Sequence, residues 1–173
     1  MAVAHRIRQG IRALLAFSQL VEIDLASQYL SLRELGLFTK MRRSEQLHSL
    51  NVLRDVIVGD STPDALAKAA LLHDVGKSRY PLFVWQKTFA VLVHAVAPNL
   101  FERWSNGNPR NLWQRPFVVM TQHPAWSAES LADVGSPEAA IWLVAHHQDP
   151  ADTWVDHPYF SMLERLQAAD KIN

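Results

Sequence analysis

Cysteine is absent from the 173-residue chain. Disulfides, thiolate-held metals and cysteine nucleophiles are thereby excluded, and any bound metal must rest on imidazole and carboxylate. Glycine is scarce, at 6 positions, which is about half of its usual share of about 7% and leans towards helix. Neither sign of charge is in excess, because 17 Lys and Arg balance 17 Asp and Glu. A dedicated nucleic-acid binder carries a basic surplus, so that function is not expected. Long hydrophobic runs are also missing. The longest uncharged stretch, residues 88–101, is broken by His94 and Pro98, short of the roughly 18 residues of a membrane span. The apolar run at 13–17, behind Arg6 and Arg8, is too short for the core of a secretory leader. A cytoplasmic location is expected. What is abundant is apolar: 49% of residues are hydrophobic and 20% charged, a balance that suits one packed domain.

Apolar residues recur at helical spacing along most of the chain. Leu14, Phe17, Leu20 and Val21, then residues 23–30, give a first stretch. Leu47, Leu50, Val52, Leu53, Val56 and Ile57 give a second, ending at Gly59-Asp60. Ser61-Thr62-Pro63-Asp64 predicts a helix start, with a hydroxyl cap, a proline in the first turn and an acid that complements the macrodipole. That helix should run to about Val75 and meet Gly76, and another should cover residues 84–97 and stop at Pro98. Between 98 and 116 turn formers crowd together, at Pro98-Asn99, Asn106-Gly107-Asn108-Pro109 and Arg115-Pro116. Further helices are predicted to open near Pro124, near Pro137 behind a Ser136 cap, and near Pro158. No alternating strand pattern, repeat or low-complexity tract is visible. The expected fold is an all-α single domain.

Charge is divided along the chain. Residues 1–54 hold 8 basic and 4 acidic side chains, and residues 117–173 hold 2 and 8. Such a division usually marks solvated faces, yet it also places carboxylates where a cation would need them. The histidines sharpen this point. His48 lies within the second helix, His73-Asp74 closes the third, His123 precedes Pro124, His146-His147 ends the helix opened at Pro137, and Asp170 lies in the last. Separate helices thus each deliver a metal-capable group, the way sites are built inside helical bundles. Imidazole with carboxylate suits Fe, Mn, Zn, Co or Ni. A lone His48 is as well explained as a hydrogen-bonded core residue, Asp170 as a surface acid. His5 and His157 are expected at the surface and His94 in the core. Lys77 falls four residues after His73 and three after Asp74, near the same helix face. An ammonium there can hold the anionic group of a substrate. A carboxylate beside a histidine can use its two oxygens on two different cations.

The ordered set His48, His73-Asp74 and Asp170 resembles the HD superfamily of metal-dependent phosphohydrolases. The run Leu71-Leu72-His73-Asp74-Val75-Gly76-Lys77 is similar to the HDIG form of its motif. Gln122-His123-Pro124 and Ala145-His146-His147-Gln148 resemble the two added histidine motifs of the dinuclear branch, which includes the HD-GYP proteins. The resemblance covers residues 44–173 and implies a single HD-domain helical bundle, with residues 1–43 as a helical extension packed on it. It implies that His48, His73, Asp74 and Asp170 hold one divalent metal and that Asp74, His123 and His146 hold a second. His147 would be a further ligand or substrate contact. Asp74 and Lys77 would serve catalysis, Lys77 by binding phosphate. The implied reaction is hydrolysis of a phosphomonoester or phosphodiester, with a nucleotide-like substrate, by a metal-activated hydroxide.

The resemblance has limits. Gln148-Asp149-Pro150 follows the double histidine where Gly-Tyr-Pro would mark cyclic-dinucleotide cleavage, and Ser44 stands where a third metal would need an acid. Two ions are therefore the most expected. Inositol oxygenase and its relatives place the same ordered ligand types around two irons and also carry a lysine after their His-Asp. Di-iron oxygenation therefore stays open beside hydrolysis, as does a metal- and nucleotide-binding signalling module without turnover. Arg103, Arg110 and Arg115, interleaved with Trp104 and Trp113, are candidate contacts for a phosphorylated or aromatic ligand. Equally, this segment can be a surface loop whose tryptophans cover the core.

Overall fold

The structure, a computed structural model, describes residues 20–57 and 62–173. The helical reading of Leu14 and Phe17, the helix end at Gly59-Asp60, the Ser61 cap and the placement of His5 lie outside the described residues. Among the described residues there are α-helices and short 3-10 turns but no strand, so the fold is all-α. In chain order the helices are α1 (Ile23–Ser27), α2 (Leu32–Phe38), α3 (Arg43–Val56), α4 (Asp64–Leu72), α5 (Val84–Val96), α6 (Pro98–Ser105), α7 (Arg115–Val134), α8 (Glu138–His146) and α9 (Phe160–Ile172). Single 3-10 turns occupy Val75–Arg79 and Ala151–Trp154. None of the helices is long and apolar enough to cross a membrane.

Helix α4 is the axis of the molecule. Leu66, Ala67, Ala69, Ala70, Leu71 and Leu72 are all fully buried, as befits a helix with apolar residues on nearly every face. Around it Leu50 and Leu53 of α3, Leu143 of α8 and Leu163 and Leu166 of α9 close one continuous core. Ala26, Leu30, Phe38 and Met41, from the stretch before α3, belong to that same core. A smaller core joins α5, α6 and α7, where Ala90, Val93 and Phe117 pack with Phe89 and Trp104.

Several helix ends differ from expectation, each for a local reason. The helix over 84–97 does end before Pro98, but Pro98 also opens α6, because a proline at the first position gives up an N–H that has no helical partner anyway. Pro124 lies inside α7 and starts nothing. The helix has already begun at Arg115-Pro116, and it passes through Pro124 at the cost of the bond to the Met120 carbonyl, against which the ring also crowds. Ser136 does not cap α8. Pro137 holds the cap position, and the Ser136 hydroxyl donates to Glu34 Oε1 at 2.7 Å. Pro63 likewise takes the cap position of α4, while Thr62 Oγ1 donates to the Val56 carbonyl at 3.0 Å. Helix α4 stops at Leu72 and not at Val75, so Asp74 lies in the turn beyond it. Gly135, at φ 79°, ends α7 in the left-handed region. Ser136 N–H returns to the Leu131 carbonyl and Gly135 N–H to that of Ala132, a Schellman closure that glycine permits without strain. His94 is exposed rather than part of the core, with its ring edge against Phe101.

One buried ion pair fastens the first helices to α4. Ser31 and Glu34 form a reciprocal capping box at the start of α2, and Glu34 Oε2 also accepts from Lys68 Nζ at 2.7 Å. Lys68 Nζ donates in addition to the Tyr29 carbonyl. Burial opposes ionisation of Glu34, but Lys68 and the donors from Ser31 and Ser136 outweigh it and lower its pKa below 4.5. A depressed carboxylate stabilises the fold above its unfolded pKa, and that stabilisation fades as pH falls through the folded value. Glu34→Gln should therefore cost about 3 kcal/mol at pH 7, because it takes from a buried ammonium its nearest counter-charge. Denaturant unfolding of both proteins should show the gap narrowing as pH falls below 4.5.

Candidate metal centre

Five elements and one turn meet at the inner end of α4. His48 comes from the middle of α3, His73 caps the C-terminus of α4, and Asp74 follows in the turn. His123 comes from α7, His147 caps α8 and Asp170 lies near the end of α9. The helix caps matter here, because a C-terminal residue can turn its ring inward while its helix stays packed on the core. His73, Asp74, His123 and His147 are all buried. His48 and Asp170 are partly open to solvent.

The three buried rings share one arrangement. His73 Nδ1 meets the Ala70 carbonyl at 3.1 Å, His123 Nδ1 that of Val119 at 2.9 Å, and His147 Nδ1 that of Val144 at 2.7 Å. A carbonyl only accepts, so each Nδ1 carries the proton and each Nε2 offers a lone pair. These lone pairs face carboxylate oxygens. His123 Nε2 lies 3.2 Å from Asp74 Oδ1, His147 Nε2 4.0 Å from the same oxygen, and His73 Nε2 3.6 Å from both Asp74 Oδ2 and Asp170 Oδ1. His48 Nε2 stands 2.9 Å from Asp170 Oδ1. Among the described residues, His73 Nε2 and His147 Nε2 are buried without a hydrogen-bond partner. Lone pairs gathered about carboxylate oxygens are complementary to a cation, and the backbone carbonyls behind the rings fix the tautomer a metal requires.

Two groups of potential ligand atoms result, each spanning no more than 4.8 Å: His48, His73 and Asp74, and Asp74, His123 and His147. Asp74 belongs to both. Its Oδ2 faces His73, and its Oδ1 faces His123 and His147. Burial would raise the Asp74 pKa, but Lys77, His73 and His123 hold it well below the ordinary value, so the carboxylate is ionised. Burial also opposes ionisation of Asp170, and the neighbouring His48 and His73 rings reverse the effect and lower its pKa. His73 is pulled both ways, and Asp74 and Asp170 outweigh its burial and raise its pKa. His147 goes the other way: burial, with His73 nearby, takes it down to about 3, so its ring is neutral at physiological pH.

The adjacent histidines divide differently from the sequence expectation, which gave the second group His146 and left His147 subordinate. The structure places His147 in the group and His146 outside it. His146 Nδ1 pairs with Asp149 Oδ2 at 2.7 Å and its ring lies against Trp142 and Trp154. Successive helical residues point about 100° apart, so both cannot face inward. The signal was available: the buried face of α8 runs Ala140, Leu143, Val144, and the next position on that face is 147. His147→Ala should thus lower divalent-metal stoichiometry or affinity at the second group, while His146→Ala leaves both unchanged, as read by metal analysis and calorimetry.

Sequence reasoning did not single out Gln148, Gln167 or Ser127. Gln148 Nε2 approaches His123 Nε2 at 3.3 Å, and Gln167 donates to the His147 and Asp149 carbonyls, holding the turn after α8. Ser127 Oγ accepts from Gly76 N–H at 2.8 Å and donates to the His73 carbonyl at 2.7 Å, which joins the His73-Asp74 turn to α7. Lys77 stays close to Asp74 although its turn is 3-10, with Nζ 2.6 Å from Asp74 Oδ2. The arginines after residue 98 do not converge with it. Arg103 and Arg110 are exposed, and Arg115 donates to the Pro109 carbonyl and lies over Tyr80. Trp104 packs on Phe117 in the smaller core, and Trp113 is exposed beside Trp85. His157 is stacked on Trp142 at 3.9 Å.

The HD domain family model matches residues 46–172, and the chain belongs to the HD domain family. That family consists in general of metal-dependent phosphohydrolases. No curated protein and no solved structure matches the chain.

Proposed function

We propose that this HD domain is a phosphohydrolase of the HDIG type, related to the dinuclear HD-GYP branch, acting on a phosphorylated small molecule with two divalent ions drawn from Fe, Mn, Ni, Co and Zn. One observation carries the proposal. Three buried imidazoles, each locked in one tautomer by its own backbone carbonyl, aim Nε2 at a shared ionised carboxylate. In this reading His48, His73, Asp74 and Asp170 hold the first ion, and Asp74, His123 and His147 the second. Such ions, when bound, supply Lewis acidity and an activated water.

The chain itself positions the substrate. Burial opposes the charge on Lys77, but Asp74, Glu45 and Asp170 keep it protonated and raise its pKa. Its ammonium, held at Asp74 Oδ2, is placed to pair with a phosphoryl oxygen. Buried rings and carboxylates around it limit the water that competes for that oxygen.

The test is a pair of assays. Nucleotides, alkyl phosphates and a generic phosphodiester are offered with Mn, Ni or Co, and oxygen uptake is followed on iron-loaded protein with a polyol or phosphonate. Phosphate release supports the proposal. Oxygen uptake with no release from any ester replaces it by di-iron oxygenation, and silence in both leaves a binding module. Lys77→Gln should keep both metals and raise KM about tenfold or more, the worth of a charge-assisted hydrogen bond. Loss of metal in that variant would remove Lys77 from the substrate side.

A further inference from the structure

A pocket of about 160 Å³ opens beside the metal centre and has Lys77 in its wall. The rest of that wall is mostly hydrocarbon: Leu82 from the turn before α5, Val91 from α5, and Val119 and Met120 from α7. The remaining polar groups are Glu45 and Lys87, which lie 3.3 Å apart and neutralise each other. Among the described residues lining it there is no amide, hydroxyl or imidazole to meet the edge of a nucleobase, and no aromatic ring to stack on its face. Its size fits a smaller group, since a cavity of about 150 Å³ lined by aliphatic side chains accepts benzene.

We propose that this pocket receives the organic part of the substrate, and that this part is a short alkyl or aryl group of about six carbons. The phosphoryl group then sits at Lys77, between the pocket and the Asp74 carboxylate. The substrate class narrows from nucleotide-like to an apolar organophosphate. The inference rests on the substrate-facing role proposed for Lys77.

The test measures binding, so that it does not depend on turnover. Manganese-loaded full-length protein is titrated by calorimetry with methyl-, propyl-, hexyl- and phenylphosphonate and with adenosine monophosphate. Affinity is expected to rise about fourfold for each methylene that enters the pocket, hexylphosphonate binding at least tenfold more tightly than propylphosphonate. Phenylphosphonate should outbind the nucleotide. Val91→Trp, which fills the pocket, should bring the hexyl-to-propyl ratio close to one. Affinity independent of chain length, tighter binding of the nucleotide, or no binding of any phosphonate overturns the inference, and these wild-type results stand even if the variant fails to fold. The hydrolase proposal is judged separately on the matching esters. Chain-length-dependent binding without ester turnover sinks the hydrolase and keeps the pocket, whereas turnover indifferent to the alkyl group does the reverse.

Discussion

Gly76→Ala is expected to lower stability by about 3 kcal/mol and to weaken the metal group formed by Asp74, His123 and His147. A Cβ at this position would collide with the His123 carbonyl, and would lie 2.8 Å from Ser127 N and 2.9 Å from Ser127 Oγ. Two of those atoms are backbone of α7 and cannot swing aside, so the helix must back away from the turn. The movement breaks the path Gly76 N–H to Ser127 Oγ to His73 carbonyl. It also draws His123 Nε2 away from Asp74 Oδ1, now 3.2 Å distant. Denaturant unfolding reports the first effect and metal titration the second. A Gly76→Ala protein as stable as the original, with full metal content, would show that the close approach is not required.

The second large effect is expected at Asp74. Asp74→Asn keeps the shape of the side chain and removes its charge, and because both ligand groups share this residue the variant should lose both ions together. Saturating manganese, at about a thousand times its dissociation constant, should stabilise the original protein by roughly 4 kcal/mol. At this chain length that corresponds to a Tm rise of about 8–16 °C. Asp74→Asn should show almost none of it, and the phosphoester hydrolysis proposed above should vanish with the metal. Retention of one equivalent of metal would mean that the two groups are independent. His147→Ala is the useful contrast, because only one of the two groups contains it.

The helical class was legible because it depends on local spacing: apolar residues three and four apart, with only Asp64 and Lys68 breaking the apolar run of α4. The proximity of Lys77 to Asp74 was legible for the same reason, since three residues bring them together in a 3-10 turn nearly as well as in an α-helix. What local spacing misses is direction. Choosing between His146 and His147 needed the phase of the whole of α8, read from Ala140, Leu143 and Val144. The helix starts near Pro63, Pro137 and Pro158 were legible too, but the hydroxyl caps read beside the first two were lost where tertiary contacts claimed the capping group. Ser136 is drawn away from α8 by Glu34, a partner 102 residues earlier, and no window of sequence contains both. The arginines after residue 98 were singled out by composition alone, and composition carries no information on where a loop points.

The reach of Glu34 bears on where the folding unit begins. The family match starts at residue 46, yet Glu34 is the counter-ion of Lys68 within the central helix and also receives the Ser136 hydroxyl from the turn between α7 and α8. Ala26, Leu30 and Phe38 fill the same core. A protein trimmed to the family boundary would strip Lys68 of Glu34 and of the Tyr29 carbonyl and would bare the apolar flank of α4 to water. The stretch that the family model matches and the stretch that shares one core are thus different lengths of chain. Transplanting the matched stretch into another protein means carrying the segment from α1 onward with it.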